Sequence, residues 1–286
     1  MASQQTQIIA DSTCDLSQEL IAKHHIEIVP LHVILGEESF SDGVDIQSQD
    51  VIAYCERTKT TPKTAAPSLA EIMERLKPHV EKGREVVFLS ISASMSACYQ
   101  NAVLAAQEFP EARIECVDAK NLSTGIGLLV LEAAEMAEQG LSAKDIATRL
   151  QDIIPRVRAS FVVDTMAYLY RGGRCSALQA FGANMLNIKP QIVVTDGKMH
   201  PTEKYRGNIK RSSKKYAAHV LEHIDRIDPK RVFVTYSPSE REEVDGVRSV
   251  VEETGHFHEI LETQAGCVVT SHCGPGTIGV LYIEKP

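Results

Sequence analysis

Val86-Val-Phe-Leu-Ser-Ile-Ser92 runs straight into Ala93-Ser-Met-Ser-Ala-Cys-Tyr-Gln100, and this join decides the fold class. The first stretch is the short apolar run of a strand buried on both faces, the usual state of strands in parallel sheets. The second must turn sharply and open a helix, because Ala102, Ala105, Ala106 and Phe109 follow at helical spacing. A strand that turns into a helix is half of a βαβ unit. Further strands are expected over 7–11, 26–33 and 114–118. Ser68-Leu-Ala-Glu71 is a capping box opening a helix expected to end near Pro78, and Ser142-Ala-Lys-Asp145 has the same form after the stop at Gly140.

Pro155 and the basic residues Arg156 and Arg158 interrupt the helical pattern before a strand expected over 160–165. A domain boundary is therefore placed near residue 158, with one domain over 1–158 and a second over 159–286. The second half reads as a helix after Gly173, a strand pair around an Asp196-Gly197 turn, a long helix over 208–226 and a strand over 231–236. A helix over 239–254 and strands over 257–262 and 278–284 complete it. The expected class is α/β, with two α/β domains. The first holds a largely parallel sheet with flanking helices, the second a mixed sheet with helices.

With 286 residues and 43% hydrophobic content, the chain can form two cores, which excludes disorder as its general state. Its most apolar stretch, 125–137, is broken by Glu132 and Glu135 and falls short of the roughly 18 residues that a membrane span needs. The opening residues lack the basic and apolar blocks of a signal peptide, so a cytoplasmic address and no membrane insertion are expected. Seven scattered cysteines without a C-x-x-C pair argue against a disulfide framework and against a thiolate metal site. A net charge of −8 disfavours nonspecific attraction to nucleic acid or anionic lipid.

Several segments could carry chemistry, and each has a plainer reading. Serines crowd the helix start at 94–96, where free N–H groups favour an anion, although Ser94 or Ser96 could serve only as a cap. Thr61-Pro-Lys-Thr-Ala-Ala-Pro-Ser68 is held extended by its prolines and could aim a hydroxyl, or be an ordinary loop entering a helix. In Tyr168-Leu-Tyr-Arg-Gly-Gly-Arg174, Arg171 and Arg174 could grip a carboxylate or phosphate, or shape a turn. Gly274-Pro-Gly-Thr-Ile-Gly279 matches the letters of a dinucleotide fingerprint, but only seven strand-like residues follow it, so the cofactor reading fails. His272 precedes that loop. No Walker A sequence, zinc-protease pair, nucleophile elbow or metal-spaced cluster is found, so no metal or cofactor is expected. Hydroxyls, arginines and one histidine without a nucleophile and its base suit binding an anion better than cleaving a bond.

Asp11-Ser-Thr-Cys-Asp-Leu16, Phe40-Ser-Asp-Gly43, Thr64-Ala-Ala-Pro-Ser68, Ser92 to Gln100, Arg171-Gly-Gly-Arg174, Lys204-Tyr-Arg-Gly207 and His272-Cys-Gly-Pro-Gly276 together resemble the DegV family. The matches run in family order along almost the whole chain. The resemblance implies two α/β domains with a long-chain fatty acid buried between them, in a carrier subunit of the bacterial fatty acid kinase type. A separate partner kinase, where one exists, phosphorylates the bound carboxylate. Carried over by position, Thr64, Ser96 and His272 would be the head-group ligands, with Arg171 and Arg174 beside them. Lys204 and Arg206 would meet the partner. Ala65, Ala66, Ser94, Ala97 and Cys98 depart from the family's usual letters and alter the neighbours of those hydroxyls.

Two other functions compete. One is an enzyme acting on a small phosphorylated or carbonyl substrate through His272, by analogy with the substrate-binding part of dihydroxyacetone kinases. The other is a nucleic-acid-binding regulator using Lys204, Arg206, Lys210, Arg211, Lys214 and Lys215, ranked last because no recognised motif surrounds them.

Overall fold

The computed structural model describes residues 6–175 and 188–286. The first half runs β1 (Thr6–Asp11), α1 (Gln18–Lys23), β2 (Glu27–Val29), β3 (His32–Leu35), β4 (Glu38–Ser41), α2 (Ser48–Thr58), β5 (Lys63–Ala65) and α3 (Leu69–Glu81). It continues with β6 (Glu85–Ser90), α4 (Cys98–Gln107), β7 (Ile114–Asp118), α5 (Thr124–Glu138) and α6 (Ala143–Ile153). The second half holds β8 (Val157–Val162), α7 (Ala167–Gly172), β9 (Ile188–Thr195), β10 (Lys198–Arg206), α8 (Ile209–Val220) and β11 (Ile227–Tyr236). α9 (Arg241–Glu253), β12 (Glu259–Gln264), α10 (Cys267–Cys273) and β13 (Ile278–Glu284) close it.

The protein has two α/β domains. In the first, β2, β1, β6 and β7 form a parallel sheet in that order. Every residue of β6 is buried, as expected of the continuous apolar run that predicts it. The helix pairs α3–α4 and α5–α6 pack on this sheet. In the second, the order β10-β9-β8-β13-β11-β12 is mixed, antiparallel except for the β11–β12 pair. α8 and α9 pack together and cover part of it around the fully buried Tyr216, whose hydroxyl donates to the Ser160 carbonyl at 2.6 Å and accepts the Val280 N–H at 2.9 Å.

α5 contacts β1 and β6 of the first sheet and β8 and β13 of the second, which explains why its residues are apolar nearly all round. Glu132, Glu135 and the terminal Glu138 are the charged exceptions, and the first two reach across to Lys230 and Arg231 on β11 of the second sheet. Arg231 is buried and Glu259 also pairs with it at 2.7 Å, while Lys230 and Glu259 are themselves partly exposed, so this ionic contact is only partly shielded from water.

Several expectations need correction. The strand expected over 26–33 is two strands in different sheets, because Pro30 offers no N–H to a continuing ladder and the chain leaves the parallel sheet there. α3 passes through Pro78 to Glu81, since a proline in the last turn removes one hydrogen bond without blocking much helix beyond it. The helix expected over 208–226 stops at Val220, and β8 starts at Val157, earlier than expected. The helix expected after Gly173 falls largely outside the described residues. Before it stands α7, ended by Gly173 at φ 68°. The sequence reading omitted the antiparallel sheet β4-β3-β5, and with it α2 and α10. The hairpin around Asp196-Gly197 and the strand over 278–284 are as expected.

Candidate functional site

α10 packs against β3, β5, α2 and α7, so the chain's last helix is wedged beside the first domain's small sheet. That wedge carries His272 to β5. The Thr64 Oγ1 and His272 Nε2 atoms lie 2.8 Å apart, although the two residues are 208 positions apart in the chain. Both line a cavity of about 240 Å³ whose other walls include Leu31, Ile91, Leu122, Val268 and Val269. Met95 enters it from the first domain and Met199 from the β9–β10 hairpin.

Ser96 stands at the same cavity, in the turn between β6 and α4. Its Oγ accepts the Cys98 N–H at 3.2 Å, while its own proton stays available to a ligand. The N-cap of α4 is Ala97, without a side-chain cap, so neither Ser94 nor Ser96 takes the capping position. Ser94 is exposed and does not line the cavity. The hairpin is pinned nearby, where the Ser92 hydroxyl donates to the Gly197 carbonyl at 2.8 Å. Gly197 has φ 75°, and a Cβ there would meet Ser92 Oγ at 2.4 Å, so this tip requires glycine twice over.

Burial, then the nearby charge of Arg174, lowers the pKa of His272 to about 4. The ring is neutral at neutral pH. Among the described residues its Nδ1 is buried without a hydrogen-bond partner, close against Gly172, where a Cβ would come within 2.4 Å. An orphaned N–H costs more than an unused lone pair, which favours the proton on Nε2. Nε2–H then donates to Thr64, and the threonine hydroxyl proton is left to point at a ligand.

Arg174 lines the cavity while staying exposed, with its guanidinium donating to the Gly172 carbonyl at 2.7 Å. Arg171 does not line it; it is exposed on α7, near Cys55 and Tyr168. Neither arginine is buried, so neither needs a buried acceptor. Lys204 and Arg206 are exposed on β10, the edge strand of the mixed sheet, away from the cavity lining. Thr64, Ser96, His272 and Arg174 thus come together, and Arg171, Lys204 and Arg206 do not join them.

The family model described as "Uncharacterised protein, DegV family" matches residues 5–285. The chain belongs to the DegV family. A DegV domain-containing protein of Clostridium perfringens is 33% identical over 279 residues, covering 97% of this chain and 98% of that protein. A DegV family protein of Thermus thermophilus, reported for its fatty acid binding, superposes with a TM-score of 0.88 at 30% identity over 98% of this chain and 100% of that one. A stearic-acid-binding protein of Eubacterium ventriosum gives a TM-score of 0.85 at 30% identity, covering 98% of both chains.

The apolar lining was the part that sequence reading missed. Met199 lies on a hairpin and Val268, Val269 and Cys273 on a seven-residue helix, and neither setting has a periodicity that marks a cavity wall. Among the described residues, no group of three His, Cys, Asp or Glu side chains could hold a metal. Nor is any described helix long and apolar enough to cross a membrane.

Proposed function

We propose that this protein binds one long-chain fatty acid by its carboxylate between its two domains, which divide near residue 158, and presents it to a partner kinase that forms the acyl phosphate. The observation that carries this reading is the cavity's asymmetry, with the Thr64 and Ser96 hydroxyls and neutral His272 on a lining otherwise mostly apolar. The fatty acid binding reported for the Thermus and Eubacterium relatives supports it.

The energetics fit such a ligand. Burying about 15 methylenes is worth up to ~12 kcal/mol, while each hydrogen bond to the carboxylate adds about 1.5 to 3 kcal/mol. Affinity comes from the apolar walls and orientation from the hydroxyls. The chain's net negative charge is no obstacle, because donors in contact with the carboxylate act at short range and distant charges are screened.

The carrier reading is preferred to an enzyme centred on His272. Thr64 and His272 resemble a nucleophile and its base, but among the described residues no carboxylate orients Nδ1, and a ring that protonates only near pH 4 is a weak base at neutral pH. The exposed Lys204 and Arg206 of β10, outside the cavity, are the basic residues that would meet the kinase and its nucleotide, and the reaction takes place in the cytoplasm. Arg206→Glu should leave fatty acid affinity within about twofold and slow phosphoryl transfer, because rim charges act mainly on association.

Thermal shifts with palmitic acid, hexadecanol and methyl palmitate test the head-group assignment. The acid should stabilise the protein well beyond the alcohol and the ester. Equal shifts from all three would remove the carboxylate from the reading.

A further inference from the structure

Two motifs noted in the sequence, Asp11-Ser-Thr-Cys-Asp-Leu16 and Phe40-Ser-Asp-Gly43, contribute no residue to the cavity lining, yet both converge on the start of α10. Asp15 Oδ1 accepts the Gly266 N–H at 2.8 Å, and Asp42 Oδ1 accepts the Cys267 N–H at 2.7 Å. That helix supplies Val268, Val269, His272 and Cys273 to the cavity. The second oxygen of Asp15 turns the other way. Oδ2 lies 2.5 Å from the Ser123 hydroxyl, and Ser123 adjoins Leu122, which lines the cavity from the loop before α5. Ser123 has φ 52° and ψ −144°, a conformation that side-chain residues keep only when their surroundings hold them.

One carboxyl group therefore ties two walls of the same cavity. We propose that Asp15 is a positioning residue for the fatty-acid site, fixing the Leu122 loop and the His272 helix in register with each other. This rests on the fatty-acid reading of the cavity given above.

Asp15 is buried, and the titratable groups around it are Asp11 on β1, Asp42 after β4, and the thiols of Cys14, Cys267 and Cys273. Burial raises its pKa to about 8, with the Ser123 and Gly266 hydrogen bonds opposing and the Asp42 and Asp11 charges adding to the rise. The Gly266 N–H and the Ser123 hydroxyl each donate to one carboxyl oxygen, so both ties are kept whether or not the group is ionised. An asparagine can keep both contacts, its carbonyl accepting from Gly266 and its amide N–H donating to Ser123 Oγ in the reverse sense. An alanine keeps neither.

The test is fluorescence titration with cis-parinaric acid, a long-chain fatty acid, on wild type, Asp15→Asn, Asp15→Ala and Ser123→Ala near pH 7, with near-ultraviolet circular dichroism as the fold control. Folded Asp15→Ala should bind about tenfold more weakly, and Asp15→Asn should recover to within about threefold of wild type. If Asp15→Ala does not fold, Ser123→Ala, which cuts the same tie at its other end, decides, and it should also weaken binding. Wild-type affinity in a folded Asp15→Ala or Ser123→Ala would overturn the role of Asp15 while leaving the fatty-acid reading intact. No binding by wild type near pH 7 would remove both.

Discussion

Replacing Thr64 by valine keeps the side-chain shape and removes one hydroxyl, which makes it a direct probe of the head group. In the structure this hydroxyl lies 2.8 Å from His272 Nε2, and with the proton on Nε2 it is free to donate onward to a carboxylate. The substitution removes one charge-assisted hydrogen bond worth about 1.5 to 3 kcal/mol, equivalent to roughly 10- to 150-fold in dissociation constant. His272 also loses its partner, so the effect should sit toward the upper end when no water replaces the hydroxyl. Calorimetric titration with palmitic acid measures the loss, and hexadecanol serves as the reference ligand. The preference for acid over alcohol should shrink along with the affinity. Ser96→Ala should behave similarly, with a small added loss of fold stability because Ser96 Oγ also accepts the Cys98 N–H. Full affinity in both variants, with the fold intact, would move the carboxylate elsewhere and leave the serine only its contact with that N–H.

Three further outcomes follow from the geometry. His272 titrates near 4 in the fold against about 6.5 in the unfolded chain, so its contribution is complete above pH 6.5 and lost as pH falls through that window. Urea melts at neutral and at acid pH should therefore show His272→Gln less acid-sensitive than wild type by on the order of 3 kcal/mol, and equal acid sensitivity would contradict the buried neutral ring. Arg231→Ala leaves Glu132 and Glu135 to Lys230 alone and frees the partly exposed Glu259, so it should cost about 1.5 to 3 kcal/mol by denaturant unfolding, whereas a loss below about 1 kcal/mol would mean that solvent screens the whole network. Tyr216→Phe leaves the Val280 N–H without its partner in a closed core and should cost about 1 to 3 kcal/mol in the same assay; a neutral result would require a buried water in place of the hydroxyl.

The parts of the fold that were readable from sequence are those where a local pattern and the tertiary environment agree. β6 is buried at every position and its four central letters are apolar, and α3 starts just after Ser68 because the capping box there forms as written. What misled were prolines and short elements. Pro30 divides two strands whose joint composition looks continuous, while Pro78 sits close enough to a helix end to be tolerated. α10, seven residues long, has too little length for a periodic signal, yet it brings His272 to Thr64. The individual polar residues of the candidate site each admitted a plainer role, and only their order along the chain pointed to one site. The apolar lining had no such order, because Leu31, Leu122, Met199 and Val268 come from four separate segments that meet only in the folded chain.

The most direct test is native mass spectrometry of the protein as purified, followed by denaturing extraction and identification of whatever is released. Binding of a single fatty acid in the cavity predicts one equivalent of a long-chain acid per chain, retained under native conditions and freed on unfolding. An empty protein that also shows no thermal stabilisation by added acids of about 14 to 18 carbons would contradict it.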